Sequence, residues 1–323
     1  MIQKSRRDVL RGAAAVSGGL AGAWAGQSAA MAGVDDRRDR RAPTLVFVHG
    51  THSSMSFATG LFTELTLRGH RAIGVDLPGH GDEAFFPRSY QAPQDLATLA
   101  VEPSPLAGFT IDDYVERVVD VVRRARRRGP VILAGASQGG VTVSRVGNAI
   151  PELLDRVVYV SAYCCVDLPN MVAYLETPEN SESLVHLMPA MTVGDPAVLG
   201  VTRINWRSAD PSVFDGVREC LAGGFSDAAV SRLLNMFQPD ETASIPMADG
   251  RGKAHSWGSI PRTYVRFSRD RLIPLALQDR FIAEADRLTP GNPTDVRTVA
   301  APHVGPFDRP ELVKIFEDLL TVR

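Results

Sequence analysis

Cysteine is scarce in this chain: three among 323 residues, at Cys164, Cys165 and Cys220. That scarcity excludes a small scaffold stapled by disulfides. Adjacent cysteines such as Cys164 and Cys165 rarely bond each other, because disulfide geometry wants Cα atoms further apart than sequence neighbours sit, and a bridge from either to Cys220 stays open. An odd count in an exported chain leaves at least one thiol free or paired between chains. No Cys/His cluster has metal-ligand spacing, so neither a metal nor a cofactor is expected. Strong charge of one sign is lacking too, with a net charge of -2 and 22% charged residues. This excludes a nucleic-acid or anionic-membrane surface as the main partner. The one basic run, Arg123 to Arg128, reads as the solvated C-terminal end of a helix. No apolar stretch is long enough for a stable membrane span, and there are no internal repeats. What remains is 44% hydrophobic residues, ample for a large core.

Residues 1–32 read as an export leader. Ser5-Arg6-Arg7-Asp8-Val9-Leu10-Arg11 resembles a twin-arginine signal, with valine where phenylalanine is usual. A mild Ala/Gly-rich stretch follows to about Ala25, and Ala30-Met31-Ala32 offers a small-x-small cleavage site. The mature chain would start at Gly33, be secreted or periplasmic, and meet the twin-arginine machinery on the way. Residues 33–43 read as a linker.

From Thr44 onward, short apolar β-rich runs alternate with helical patterns. Strands are expected at 44–48, 71–75, 131–134 and 156–160, with helices near 56–68, 111–128 and 140–150. Thr110 followed by Asp112 and Asp113 caps the second of these helices. Residues 82–109 carry several prolines and little periodicity, and read as an ordered loop. Alternation resumes with a strand at 262–267, a helix at 275–288, a strand at 294–299 and a helix at 309–321. The class is therefore α/β, a mostly parallel sheet of about six strands flanked by helices. Its core spans 44–161 and 260–323. Residues 162–259 break the pattern with short helical pieces and read as a lid inserted over the C-terminal sheet edge, where such sheets bind ligands.

Gly135-Ala136-Ser137-Gln138-Gly139 lies between a strand and a helix. In that setting a tight turn lifts a serine above the strand end, and only small residues fit two places before and after it. Ser137 is the candidate nucleophile. A serine hydroxyl needs a base, and the base needs an orienting acid. His303 follows the strand at 294–299 and Asp270 follows the strand at 262–267, so both reach the same sheet edge in the order Ser, Asp, His. Asp308 comes after the base, and Asp286 lies within a helix. The N–H groups of Gln138 and Thr51 are the candidate oxyanion donors. His52, Trp206 and Phe237 are candidate substrate contacts. His49 is expected to brace the oxyanion loop and His80 to tie the turn Asp76–Gly81. Trp206, Trp257, Phe237 and Met236 are expected in the lid core.

Four segments carry a resemblance. They are Phe47-Val48-His49-Gly50, Asp76-Leu77-Pro78-Gly79-His80-Gly81, Gly135 to Gly140, and His303-Val304-Gly305-Pro306-Phe307-Asp308-Arg309-Pro310. In this order they resemble the α/β-hydrolase superfamily, in the serine esterase branch that holds plant methyl-ester esterases and hydroxynitrile lyases. The resemblance implies a six-stranded sheet and a covalent acyl-serine. The lyases of that branch carry threonine after the first loop's histidine, and often lysine after the catalytic histidine. Here those places hold Gly50 and Val304, which leans toward hydrolysis. The loop Thr51 to Ser56 and the lid depart from the branch, and both shape the pocket. The expected activity is that of a carboxylesterase on small to medium apolar esters. A lyase or non-hydrolytic tailoring enzyme, and a ligand-binding protein retaining the triad, remain the alternatives.

Overall fold

The computed structural model describes residues 42–304, 307 and 309–321. The leader and nearly all of the linker lie outside them, as do Gly305, Pro306 and Asp308. Six strands form one parallel sheet: β1 (Thr44–Val48), β2 (Arg71–Val75), β3 (Val131–Ser137), β4 (Arg156–Ala162), β7 (Arg262–Phe267) and β8 (Asp295–Val299). Their spatial order is β2-β1-β3-β4-β7-β8. All of β1 and β3 is buried, as the unbroken apolar runs Leu45–Val48 and Val131–Ala134 require of strands covered on both faces. The chain winds outward from β1 to β2 and then back across to β3. The order therefore reverses between β1 and β3, and a crevice opens beyond their C-terminal ends.

Seven helices of nine residues or more are described. They are α1 (Thr59–Leu67), α2 (Ile111–Arg126), α3 (Gly139–Ala149), α4 (Pro211–Leu221), α5 (Asp227–Met236), α6 (Leu275–Leu288) and α7 (Pro310–Thr321). One face of the sheet is covered by α2, α3 and α6, through Tyr114, Val118, Val122, Val143, Leu277 and Phe281. The other is covered by α1 and α7, through Leu61, Leu65, Leu312 and Phe316. The capping expected for α2 is present, with Asp113 reaching back to accept the N–H of Thr110 at 2.8 Å. Between 82 and 109 the chain is not one open loop. It carries four short turns, Gly81–Glu83, Arg88–Tyr90, Leu96–Leu99 and Pro105–Gly108, each cut off within one turn or so by prolines or glycine.

The segment between β4 and β7 does not pack as one piece. Its ends join the main core through Tyr163, Cys164, Cys165, Tyr174, Ile245 and Trp257. Its middle forms a separate cluster around Met191, Trp206, Val217, Leu221, Leu234 and Phe237. Two of the aromatic and sulfur residues expected in a lid core fall elsewhere. Trp257 is fully buried under the sheet, where its indole N–H reaches the Tyr159 hydroxyl at 2.7 Å. Met236 ends α5 exposed, beyond the stripe that packs inward. A two-stranded antiparallel ribbon, β5 (Val201–Arg203) with β6 (Asp240–Thr242), was not foreseen, because three-residue strands leave no readable alternation. Arg203 of the ribbon is fully buried. It holds Asp240 with both ends of its guanidinium, at 2.6 and 2.7 Å, and donates to the carbonyls of Leu99 and Glu102. All three cysteines are free and buried, Cys220 in the middle cluster and the adjacent pair in the main core. Among the described residues no helix is long and apolar enough to cross a membrane.

Candidate active site

Ser137 ends β3 with a backbone φ of +52°, a left-handed conformation that non-glycine residues rarely adopt. The register of β3 against β4 shifts at this residue. The tightness of the turn explains its small neighbours. A methyl on Gly135 would lie 2.7 Å from the Gly139 carbonyl, and one on Gly139 would lie 2.5 Å from the His49 carbonyl. The strained turn aims the Ser137 hydroxyl across the crevice at His303. Its Oγ lies 3.1 Å from His303 Nε2, and His303 Nδ1 donates to Asp270 Oδ2 at 2.6 Å. With Nδ1 as donor, Nε2 is the acceptor, and Ser137 donates to it. The three side chains come from positions far apart in the chain and meet because each lies at or just past the C-terminal end of a strand of the same parallel sheet.

The Asp270 carboxylate is buried and well supplied with donors. Oδ1 accepts the N–H groups of Leu272 at 2.7 Å and Ile273 at 2.8 Å. Oδ2 accepts the Ser161 hydroxyl at 2.5 Å as well as His303. Ser161, at the end of β4, also has a positive φ, of +40°. Sequence reasoning did not single it out, because a serine closing a strand has no distinguishing pattern; its place beside the Asp270 strand gives the role.

Gln138 stands at the N-terminus of α3 with helical backbone angles and a buried side chain. Thr51 lines the cavity in front of Ser137. Gln138 thus follows the end of β3 and Thr51 the end of β1, on either side of the reversal in strand order. His49 braces this loop as expected. Its Nδ1 donates to the Gly50 carbonyl at 2.8 Å and its Nε2 accepts the Leu77 N–H at 3.1 Å. Burial, aided by the charge of neighbouring His80, brings the His49 pKa down to about 3, so it stays neutral.

His80 does more than tie its own turn. Its Nδ1 donates to the Pro78 carbonyl at 3.0 Å, and its Nε2 meets the carboxylate of Glu241 at 3.1 Å. Both ring nitrogens face acceptors, which requires the imidazolium. Burial opposes that charge, but Glu241 outweighs it and raises the His80 pKa. Burial would raise Glu241 in turn, yet the charge and hydrogen bond of His80 prevail and bring it down to about 2. Glu241 also accepts the Tyr114 hydroxyl at 2.8 Å and the backbone N–H of His52 at 3.0 Å. This carboxylate, in the β5–β6 ribbon, escaped sequence reasoning because its partners lie more than a hundred residues upstream.

A cavity of about 80 Å³ opens over Ser137 and His303. Its wall is almost wholly apolar, with Met55, Phe57, Met188, Trp206, Leu272 and Phe237 among its residues. His52, Trp206 and Phe237, named as candidate contacts, all line it. Trp206 and Phe237 stack at 4.3 Å between ring centroids, and the His52 ring meets Trp206 edge-on at 5.4 Å. A larger groove of about 510 Å³ adjoins the cavity, sharing Phe57 and Phe307 with it.

An open parallel sheet carrying a strained serine turn, a histidine and a buried carboxylate at one edge defines the α/β-hydrolase class of protein. Comparison with known proteins agrees. The chain belongs to the alpha/beta hydrolase family, whose pattern matches residues 45–314. It is similar to the pyrethroid hydrolase of Sphingobium wenxiniae, at 22% identity over 267 residues, 83% of each chain. Among solved structures it resembles a pyrethroid hydrolase from Sphingobium faniae, with a TM-score of 0.62 and 21% identity over 86% of this chain and 97% of that one. It also resembles polyneuridine aldehyde esterase, with a TM-score of 0.61 and 20% identity over 86% of this chain and 99% of that one.

Proposed function

We propose that the protein is a serine carboxylesterase acting on small to medium apolar esters. The observation that carries this reading is the hydrogen-bonded line from Ser137 through His303 to Asp270 at the floor of an apolar cavity. Ser137 Oγ attacks the ester carbonyl while His303 Nε2 takes its proton. Asp270 keeps Nδ1 protonated and stabilises the imidazolium. The N–H groups of Gln138 and Thr51 receive the oxyanion. His303 returns the proton to the departing alcohol, and water then hydrolyses acyl-Ser137 by the same steps. The similarity to enzymes named as pyrethroid hydrolase and esterase supports ester cleavage. The enclosed space suits one compact half of an ester, and the adjoining groove suits the other. Gly50 and Val304 in the cavity wall supply no side-chain donor or cation for a cyanide leaving group, which weighs against a lyase. Residues 1–32 serve, in this reading, as a twin-arginine leader removed on export.

The test is intact mass after exposure to a fluorophosphonate. Wild type gains one adduct, and Ser137→Ala gains none and loses turnover of 4-nitrophenyl esters by on the order of a millionfold. A folded wild type that takes no adduct contradicts the acyl-serine mechanism. Expression in a host with a twin-arginine pathway should release a chain beginning at Gly33; a chain retaining Met1 in the cytoplasm contradicts export.

A further inference from the structure

The cavity wall contains one polar group fixed for a purpose the hydrolytic steps do not use. The His52 ring lines the cavity and is 4% exposed as a residue. Its Nδ1 faces the Gln238 carbonyl at 3.1 Å, and a carbonyl only accepts, so Nδ1 carries the proton. Burial lowers the His52 pKa, and the ring is neutral. Nε2 therefore presents a lone pair. It has no partner among the described residues, and the ring that carries it lines the cavity. The other polar side chains of the wall are differently placed. His49 has both nitrogens engaged, Ser53 donates to the Gly50 carbonyl, Ser54 bonds Ser56, and Trp206 donates to the Gln238 carbonyl. The Thr51 hydroxyl can rotate, whereas the His52 ring cannot.

Its backbone is held just as firmly. His52 has a φ of +54°, where a non-glycine residue persists only if its surroundings impose it. The surroundings do so from both sides. Its N–H donates to Glu241 at 3.0 Å, and its carbonyl accepts the Gln238 N–H at 2.8 Å. Strain, tautomer and ring position together present one hydrogen-bond acceptor in an otherwise apolar chamber.

The geometry points to His52 Nε2 as a substrate-binding acceptor, and to esters that carry a hydroxyl or N–H donor near the scissile carbonyl as the preferred substrate class. This rests on the esterase reading and narrows it. A substrate lacking the donor would bury Nε2 with no partner, which a site of this kind penalises.

The experiment compares matched esters on the wild-type enzyme: methyl mandelate, its α-methoxy counterpart and methyl phenylacetate. A second set moves the donor, with 3-hydroxybutyrate and 2-hydroxyethyl esters beside their methyl ethers and deoxy analogues. At least one hydroxyl ester should exceed both of its analogues by roughly tenfold or more in kcat/KM. His52→Leu should erase that preference, lowering kcat/KM for the hydroxyl ester about tenfold more than for its deoxy analogue, so that the ratio between the two rather than either rate is read. His52→Asn, whose carbonyl accepts and whose backbone tolerates positive φ, should keep part of it. Ester turnover and a fluorophosphonate adduct with no hydroxyl preference overturn the proposal and leave the esterase reading standing. A preference that survives His52→Leu overturns it as well. No adduct and no turnover of any ester sinks both.

Discussion

The floor and the roof of the cavity are built on different principles. The floor is Ser137, His303 and Asp270, each at or within a few residues of the C-terminal end of a strand of the same sheet. Their positions follow from the sheet's geometry, and hydrogen bonds as short as 2.6 Å finish the alignment. The roof is the wall from His52 to Phe237, and no single element positions it. It hangs on Glu241, whose carboxylate meets a backbone N–H 189 residues earlier in the chain. The difference teaches where reaction and selectivity are stored. Chemistry resides in the rigid sheet, and shape resides in a few buried polar ties between distant segments.

That contrast can be broken from either side. The largest effect is expected at the floor. Asp270→Asn should keep the fold and lower kcat by about ten-thousandfold, because His303 would be held in the wrong tautomer. Steady-state kinetics with circular dichroism checks this; a loss below a hundredfold would mean the histidine is oriented by something else. At the roof, Glu241→Ala should act first on stability. It leaves a buried His80 imidazolium without its partner, at a cost of about 3–5 kcal/mol. Urea unfolding reads that cost directly, and an unchanged midpoint would remove Glu241 from its place as the anchor.

Acid should loosen the roof. His49 has a pKa of about 3 in the fold and 6.5 in the unfolded chain, so only the unfolded chain binds its proton between those values. Glu241 sits at about 2 against 4.5, and its stabilising contribution is present above 4.5 and fades as pH falls toward 2. The raised His80 works in the opposite sense: its contribution is full below 6.5 and is lost as pH climbs through its folded value. Stability should therefore fall on acidification from pH 6.5 toward 3, by on the order of a few kcal/mol. Urea midpoints at pH 7, 5 and 4 test it, and a flat series would contradict it. The smallest effect belongs to Ser161→Ala, which removes one of the donors on Asp270. A drop of about tenfold in kcat with KM unchanged is expected; no change would make Ser161 a bystander.

The same contrast governs what could be read in advance. Ser137, Asp270 and His303 were legible because strand ends leave local signals: apolar runs, a glycine pair, a polar residue at the boundary. The sheet and its principal helices were legible for the same reason. Ser161 and Glu241 were not. Each matters through a partner distant in the chain, and pattern within a window carries no record of it. The β5–β6 ribbon was hidden by its length, and Trp257 was misplaced because a buried tryptophan looks alike under a sheet or under a lid. His52 was singled out as a contact, but its tautomer depends on the Gln238 carbonyl, which only the fold supplies.

Arg203 gives the roof a mechanical consequence. Its guanidinium is fully buried and clasped by Asp240 and by two carbonyls. Lifting the ribbon would carry Asp240 along but tear the buried guanidinium from the carbonyls of Leu99 and Glu102, so the inserted segment is no flap on a free hinge. The apolar patch beyond it is tied far more lightly: the stacked Trp206 and Phe237 rings carry no ion pair, and one indole hydrogen bond to the Gln238 carbonyl is all that parting them from the wall would cost in polar contacts.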